Sequence, residues 1–336
     1  MLHRPLLALT MVGALCSFLP AFAGPVASQP AVEPKEVRAW LMRIHEAASR
    51  RNFQGTFIVS AGGTVSSARI AHFCEGPNQF ERIDSLDGQT RHVFRHNEVV
   101  HTVWPQARVA MVEQRDMLST FPALLQVGDD RIAEYYEVSA QGPDRVAGHE
   151  ASVLLIRPRD QHRFGYRLWA EKASGLLLRA DVLGEKGELL ETSAFSDVAI
   201  NVRAQPETVL QPMRKLDGYR IVRPTLTPTR LESEGWSLRQ SVPGFRQVSC
   251  VKRPLEAPDR SPGEADVLQT IYSDGLTYVS VFIEPFNPER HTSPMLTTMG
   301  PTQTLMRRQG DWWITVVGDV PAVTLKAFAA GLERKK

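Results

Sequence analysis

The sequence predicts a β-rich α+β fold made of two domains, and three observations support this prediction. Most of the chain consists of short runs of β-branched and aromatic residues separated by turn residues, as in an antiparallel meander. Helical patterns are confined to one segment near the start, one insert at 115–126 and one segment at the end. A polar, proline-rich stretch at 204–230 interrupts the strand pattern. It is predicted to link a large domain (24–203) to a small one (231–336).

The first 23 residues are predicted to be a cleaved signal peptide. A basic start precedes an apolar run, and Ala21-Phe22-Ala23 supplies the small residues of a cleavage site. A retained membrane anchor is the alternative, but Pro5 and Pro20 shorten the apolar run. Leu15 stands where a lipobox before Cys16 needs a small residue, which argues against lipidation. We therefore expect an exported protein located in the periplasm.

The large domain is predicted to begin with an amphipathic helix. In KEVRAWLMRIHEAASRR the apolar positions recur at helical spacing, and they are Val37, Trp40, Leu41, Ile44 and Ala48. Strands follow from FQGTFIVSAGG to VVHTVWPQARVAMVE. A helical insert is expected around RDMLSTFPALLQ, and strands resume from AEYYEVSAQG to ELLETSAFSDVAI.

A sheet of this size has to protect both its edges and its inner face. A closed or half-closed barrel does both, and a large barrel encloses an apolar cavity. Alternation in GTFIVS and SARIAHF places apolar residues on one face. We expect Phe57, Val59 and Ile70 to line a cavity that accepts acyl chains.

The small domain is predicted to be α+β. Its strands include VLQTIYSDG, LTYVSVFIE and DWWITVVGDV, and a long Pro- and Thr-rich loop spans 285–304. In the closing helix, Pro321 suits the first turn. One face of that helix carries Leu325, Phe328, Ala329 and Leu332.

Charge and cysteine content exclude some classes of protein. Lys plus Arg is 39 and Asp plus Glu is 37, so this is no nucleic-acid-binding polycation. A local basic cluster could still meet an anionic surface, and it comprises Arg157, Arg159, His162, Arg163 and Arg167. Cys74 and Cys250 lie in different predicted domains. An oxidising compartment permits a disulfide between them, although two buried free thiols are the favoured interpretation.

The sequence offers no set of catalytic residues, and no enzyme activity or cofactor is predicted. Gly235-Trp236-Ser237 lacks the second glycine of a nucleophile elbow, and neither His-Glu pair continues to a metalloprotease motif. His92, His96 and His101 lie in predicted strands and a turn, which favours solvent-facing histidines over a metal site. Aromatic residues in strands more often form core, which is the interpretation favoured for the cluster of Phe164, Tyr166 and Trp169. Trp312 and Trp313 should occupy opposite faces of their strand.

The stretch IYSDGLTYVSVFIEP, 271–285, contains Ser273 next to Asp274. An Asp-Gly pair between strand-like runs predicts a two-residue type I′ hairpin. The Asp274 side chain is expected to bond to local backbone groups. We therefore interpret the stretch as a hairpin and not as a hydrolase site.

Several segments together resemble one protein family along nearly the whole predicted mature chain. They include NFQGTFIVSAGG, RFGYRLW, IYSDGLTYVSVFIE and WWITVVGDVPAVTLKAFA. This pattern is similar to the periplasmic sigma-E factor regulatory proteins of the RseB/MucB type. Residues 170–173 depart from the pattern in a turn.

The resemblance implies a large domain similar to periplasmic lipoprotein carriers, an unclosed barrel with helices, joined to a small domain. It implies binding to the periplasmic domain of a single-span anti-sigma factor, protection of that partner from proteolysis, and release by lipid or lipopolysaccharide. We expect the partner to add to exposed strand edges at 276–284 and 311–319, and to the loop at 285–304. The expected contact residues are Tyr278, Phe282, Glu284 and Trp313. A lipid or lipoprotein carrier is the alternative function, and homo-oligomers are left open.

Overall fold

A computed structural model of the protein describes residues 34–114, 132–253, 266–291 and 293–335. The predicted signal peptide and the predicted helical insert at 115–126 lie outside the described residues. None of the described helices is both long and apolar enough to cross a membrane.

Helix α1, Pro34–Arg50, opens the described chain and confirms the predicted amphipathic helix. Val37, Leu41 and Ile44 are buried on one side of it, because these positions recur every three to four residues. They pack into a core with the strands at the end of the first sheet. The helix therefore covers one part of that sheet.

The first sheet contains twelve of the described strands and is antiparallel except at one edge. In chain order the strands are β1 (Phe53–Ala61), β2 (Thr64–Glu75), β3 (Asn78–Ser85), β4 (His92–His96), β5 (Val99–Trp104), β6 (Val109–Gln114), β7 (Tyr136–Val146), β8 (His149–Pro158), β9 (Gly165–Glu171), β10 (Leu177–Leu183), β11 (Leu189–Ile200) and β12 (Arg220–Val222). A short helix, α2 (Ile132–Tyr135), precedes β7.

The spatial order of the sheet is β12-β6-β5-β4-β3-β2-β1-β11-β10-β9-β8-β7. β1 therefore pairs with β11 and joins two meanders into one sheet. The two end strands do not pair with each other, so the barrel is unclosed, as predicted.

The predicted linker at 204–230 is largely packed structure. Helix α3, Glu207–Arg214, places Val209 in a core with the phenylalanines of β2, β3 and β4. β12 then adds to β6 in parallel. Proline and polar residues suggested an open connection, but the apolar side of this short helix covers a sheet face that would otherwise be exposed. Only 223–226 separate β12 from the first strand of the second sheet.

The second sheet has seven of the described strands in the order β13-β15-β16-β17-β20-β19-β18. They are β13 (Thr227–Pro228), β15 (Arg246–Arg253), β16 (Val267–Ser273), β17 (Tyr278–Pro285), β18 (Met295–Met299), β19 (Thr302–Gln309) and β20 (Trp312–Gly318). β14 (Trp236–Leu238) and β21 (Leu332–Arg334) form a separate pair. Helix α4, Ala322–Gly331, follows Pro321 and buries Leu325, Phe328 and Ala329, as predicted.

Two predictions about this sheet are wrong. The segments at 276–284 and 311–319 are not edges, because β17 lies between β16 and β20, and β20 lies between β17 and β19. Part of the predicted loop at 285–304 is the strand β18, which forms the edge. Threonine and methionine are compatible with a strand, and the prolines that suggested a loop lie before and after it.

Candidate functional site

The β16–β17 hairpin exists as predicted, but its turn is longer than two residues. Ser273 pairs with Tyr278, so four residues, 274–277, form the loop. Gly275 has a φ of 99°. Asp274 has no positive φ, so the turn is not type I′, which needs positive φ at both central positions. The longer loop allows this turn to reach beyond its own domain.

Asp274 holds its own loop with one carboxylate oxygen, as predicted. Its Oδ1 accepts hydrogen bonds from the backbone N–H groups of Leu276, at 3.0 Å, and Thr277, at 2.9 Å. Ser273 Oγ donates to the Thr277 carbonyl at 2.7 Å. Within the described chain this serine therefore serves the turn, and its contacts are those of a structural residue.

The other oxygen of Asp274 bonds to the large domain, a contact that sequence reasoning missed. Its Oδ2 accepts from Arg163 Nε at 2.7 Å and from the Tyr136 hydroxyl at 2.8 Å. Both charged side chains are fully buried, with 0% exposure. Burial, and then the Asp274 carboxylate, raise the pKa of Tyr136 well above its usual value, so its hydroxyl remains a donor.

The Arg163 guanidinium makes several further contacts with both domains. Its guanidinium also donates to Asp160 and to the Pro243 carbonyl, and it lies over the ring of Tyr135 at 4.4 Å and of Phe245 at 5.0 Å. Arg163 therefore does not belong to the predicted basic surface cluster, because its side chain is buried between the two domains.

Leu276, at the tip of the same loop, belongs to the core of the large domain. It is buried at 4% exposure and packs in one cluster with α1 residues such as Leu41 and β-strand residues such as Tyr166. The loop 274–277 thus inserts a leucine and a carboxylate into the large domain.

A second contact between the domains lies at the β18–β19 turn. A Cβ placed on Gly300 would lie 2.8 Å from the Ala61 Cβ, in the β1–β2 hairpin. Just after this turn, and within the small domain, Thr302 Oγ1 donates to Asp319 at 2.6 Å. The turn that joins edge strand β18 to β19 therefore lies against the large domain.

The predicted partner residues share one face of the second sheet. Tyr278, Phe282 and Glu284 alternate along β17, and Trp313 is the cross-strand partner of Glu284. The intervening residues of β17 point into the core, so these four lie on the opposite face, which we call the open face. Tyr278 is exposed, whereas Trp313 is buried and stacks on His291 with ring centroids 4.8 Å apart.

Edge strand β18 extends the open face outward. All five of its residues are exposed, and Met295 pairs with Met306 of β19. Met295 and Met299 lie on the open-face side by the two-residue period, and Leu296 lies on the other side. Apolar side chains on an exposed edge are unusual, because such edges tend to pair with another chain.

The first sheet carries a cavity of about 300 Å³ on the face predicted to bind acyl chains. It lies over β3 to β6, and its lining comprises Glu81, Ile83, Arg91, Val93, Arg95, Val100, Thr102, Trp104 and Met111. Ile70 points to the same face, since it pairs with Ile83. The cavity therefore lies one strand or more away from the predicted residues.

The three predicted cavity residues are placed as follows. Phe57, Val59 and Ile70 share one face of β1 and β2, as predicted from alternation. Ile70 is buried in the core, and Phe57 packs edge-on against Phe195 at 5.5 Å. The lining of the cavity also has more charge than predicted, with two arginines and a glutamate. Hydrophobic alternation predicted the correct face of the sheet. It could not predict the position of the cavity, because charged lining residues do not stand out in a hydrophobic pattern.

The histidines and aromatic residues singled out from the sequence make contacts within the fold. His92 Nδ1 lies 2.6 Å from Asp84 Oδ1, and His96 stacks on Phe80. Among the described residues no three His, Cys, Asp or Glu side chains are grouped to hold a metal. The cluster of Phe164, Tyr166 and Trp169 is buried, which confirms the core interpretation.

The two adjacent tryptophans lie on opposite faces of their strand, and the two thiols are separate from each other. Trp312 packs toward the core against Trp236, opposite to Trp313, as predicted. Cys74 and Cys250 are free thiols that form no disulfide with each other, and burial raises the pKa of both.

Comparison with known proteins gives consistent results over both domains. Residues 36–213 match the family described as MucB/RseB N-terminal domain, and residues 230–333 match the MucB/RseB C-terminal domain. The chain is 30% identical to the sigma factor AlgU regulatory protein MucB of Pseudomonas aeruginosa, over 92% of this chain and 94% of that protein. It is 26% identical to the sigma-E factor regulatory protein RseB of Escherichia coli K12, over 88% and 90% of the two chains.

Comparison with solved structures leads to the same family as comparison of the sequences. The MucA/MucB complex of Pseudomonas aeruginosa matches with a TM-score of 0.68 at 28% identity, covering 90% of this chain and 99% of that chain. A crystal structure of MucB alone matches with a TM-score of 0.63 at 25% identity, covering 90% of this chain and 98% of that chain.

Proposed function

The chain belongs to the MucB/RseB family, and we propose that it is a periplasmic negative regulator of an envelope-stress sigma factor. It binds the periplasmic domain of a single-span anti-sigma factor, shields that domain from proteolysis, and releases it when a lipid or lipopolysaccharide binds. The observation that carries this proposal is the likeness of both domains, over 90% of the chain, to the MucB of the MucA/MucB complex.

We place the partner on the open face and the β18 edge. An extended segment that pairs with β18 would gain main-chain hydrogen bonds, and the side chains of the open face would select its sequence. Met295 and Met299 offer apolar, adaptable contacts on this edge, and Tyr278 offers a rigid amphipathic one. Glu284 and Trp313 would take part only where the partner displaces His291 from the Trp313 ring.

We place a lipid ligand on the inner face of the first sheet. The cavity over β3 to β6 combines apolar walls with Arg91 and Arg95, a combination suited to an acyl chain with an anionic head group. A lipid carrier would account for this cavity equally well. A carrier would leave the open face and the apolar β18 edge without a role.

The decisive experiment measures protection together with binding. The mature protein is titrated with the purified periplasmic domain of the MucA-type anti-sigma factor from the same organism, by calorimetry. The protease that makes the first cut in that anti-sigma factor is then added to it with and without the protein. Saturable binding with slowed cleavage is expected, whereas no binding by a folded sample would refute the regulatory function and favour the carrier.

A further inference from the structure

We infer that the loop 274–277 is a releasable latch between the two domains, opened by an anionic single-chain amphiphile. This inference rests on the proposed function and gives the releasing lipid a second site, separate from the cavity over β3 to β6, through which it would alter the partner-binding domain. Three groups carry it: the Arg163–Asp274 ion pair, the Tyr136 hydroxyl and the Leu276 side chain.

The ion pair makes docking an all-or-none event. A buried charge that loses one partner carries a large desolvation penalty, while a fully separated pair regains water on both sides. Partial opening, with Asp274 withdrawn and Arg163 still in its cage of Tyr135 and Phe245, is therefore strongly disfavoured. The domains are expected to populate a docked and an undocked state with little in between.

The Leu276 side chain connects the docking of the loop to the hydrophobic core beneath α1. It packs where the α1 residues Val37 and Leu41 meet the strands β7 to β10. When the loop withdraws, an apolar socket opens beside the Arg163 guanidinium. The loop itself fills this site with one carboxylate and one branched alkyl group.

The socket suggests the chemistry of the molecule that keeps it open. A ligand with an alkyl chain and an anionic head would replace Leu276 with its chain and Asp274 with its head group. Because such a ligand binds only the undocked state, it shifts the population toward that state. Undocking also frees the β18–β19 turn from Ala61, so the partner-binding edge changes its surroundings.

Hydrogen exchange of the full-length mature protein, measured on a peptide covering 274–277, tests the latch directly. Asp274→Asn keeps an oxygen for the Leu276 and Thr277 amides but removes the ion pair. We expect exchange in this peptide to rise on the order of 100-fold. Asp87→Asn is the matched control, because Asp87 also accepts from a loop-adjacent backbone amide, that of Ser67, but stays within its own domain.

A double-mutant cycle distinguishes loss of the Arg163–Asp274 ion pair from general misfolding of a variant. Arg163→Met alone leaves Asp274 buried without its cation and should open the latch further than the double variant with Asp274→Asn does. Additive effects of the two substitutions would overturn the latch. So would unchanged exchange in Asp274→Asn.

The ligand is tested with three probes on the wild-type protein. Dodecyl phosphate should raise exchange at 274–277 at least tenfold. Inorganic phosphate, which has the anionic head without a chain, and dodecyl maltoside, which has the chain on an uncharged head, should not. Equal effects of all three, or none from dodecyl phosphate, would overturn the inference. Calorimetry with the anti-sigma domain is run in parallel, so a failed latch with intact partner binding is distinguished from failure of the proposed function.

Discussion

Glu81 is a carboxyl group buried in the first sheet, between His72 on one neighbouring strand and Arg95 on the other. Burial raises its pKa above the usual value, and the nearby Arg95 charge only partly offsets this effect. It also lies on the wall of the cavity, so its charge state alters the inner surface.

We predict that Glu81→Gln weakens the pH dependence of stability. Between the unfolded pKa, about 4.3, and the raised folded pKa, the folded state holds a proton that the unfolded chain has released. The free energy of unfolding therefore falls as pH rises through this window, and the loss is complete above it. The free energy of unfolding of Glu81→Gln, taken relative to that of wild type, should therefore be higher at pH 7.5 than at pH 4. Urea unfolding at the two pH values measures this difference. Exposed Glu98→Gln is the control, and an identical pH trend in both variants would contradict the prediction.

Asp274 shows how one residue can serve two levels of structure. Its Oδ1 closes a turn of four residues, and its Oδ2 docks two domains. The first role follows from the ordinary behaviour of aspartate in turns and was predicted. The second depends on Arg163, 111 positions away along the chain, and no local pattern indicates it.

At the scale of elements, β18 is an exposed edge strand, and it is where we place the partner. We predict that Met295→Lys weakens binding of the anti-sigma domain at least about tenfold, because a charge on an edge opposes pairing with another strand. The free energy of unfolding should change by less than about 0.5 kcal/mol, since the side chain is exposed. Leu86→Lys is the matched control, with 47% exposure against 46% for Met295. Equal loss of binding in both variants, measured by calorimetry, would exclude β18 as the docking edge.

Helix α3 belongs to the large domain, although its sequence suggests a linker. Val209 has 0% exposure and contacts the core of Phe73, Phe80 and Phe94. We predict that Val209→Ala lowers the free energy of unfolding by roughly 2 kcal/mol, through lost burial and a residual cavity. The control is Val248→Ala at an exposed position, which should be nearly neutral. Urea unfolding that shows no difference between the two would mean that α3 is not part of this core.

At the scale of the whole molecule, the connection between the domains is short and the domains are in direct contact. Residues 223–226 join the sheets, and contacts at 274–277 and at Gly300 hold them together. The coupling that we propose between the domains would pass through these contacts and would not need a long flexible linker.

We predict that a fragment covering 24–223 folds more stably than the fragment 24–203. The shorter fragment lacks α3 and β12, and so leaves the phenylalanine core of β2 to β4 uncovered. Its thermal midpoint should be lower by several degrees. The longer fragment should bind a fluorescent fatty acid but not the anti-sigma domain. Full-affinity partner binding by 24–223 would contradict the assignment of the partner to the small domain.

The sequence by itself determined the local structure of this protein. Strand alternation, turn residues and helical spacing depend on neighbours within a few positions, so they predicted α1, α4, most strands and the face on which Phe57, Val59 and Ile70 lie. The resemblance in motifs such as RFGYRLW and IYSDGL supplied the family.

Only the tertiary structure decided which strands form the edges, where the cavity lies and how the domains meet. β17 and β20 have the pattern of any half-buried strand, and their central position depends on pairings that no local signal encodes. The burial of Arg163 with Asp274 is likewise a long-range pairing, in which each charge is tolerated only because the other is present. Such pairings depend on how distant segments meet in three dimensions, which the spacing of residues along the chain does not specify.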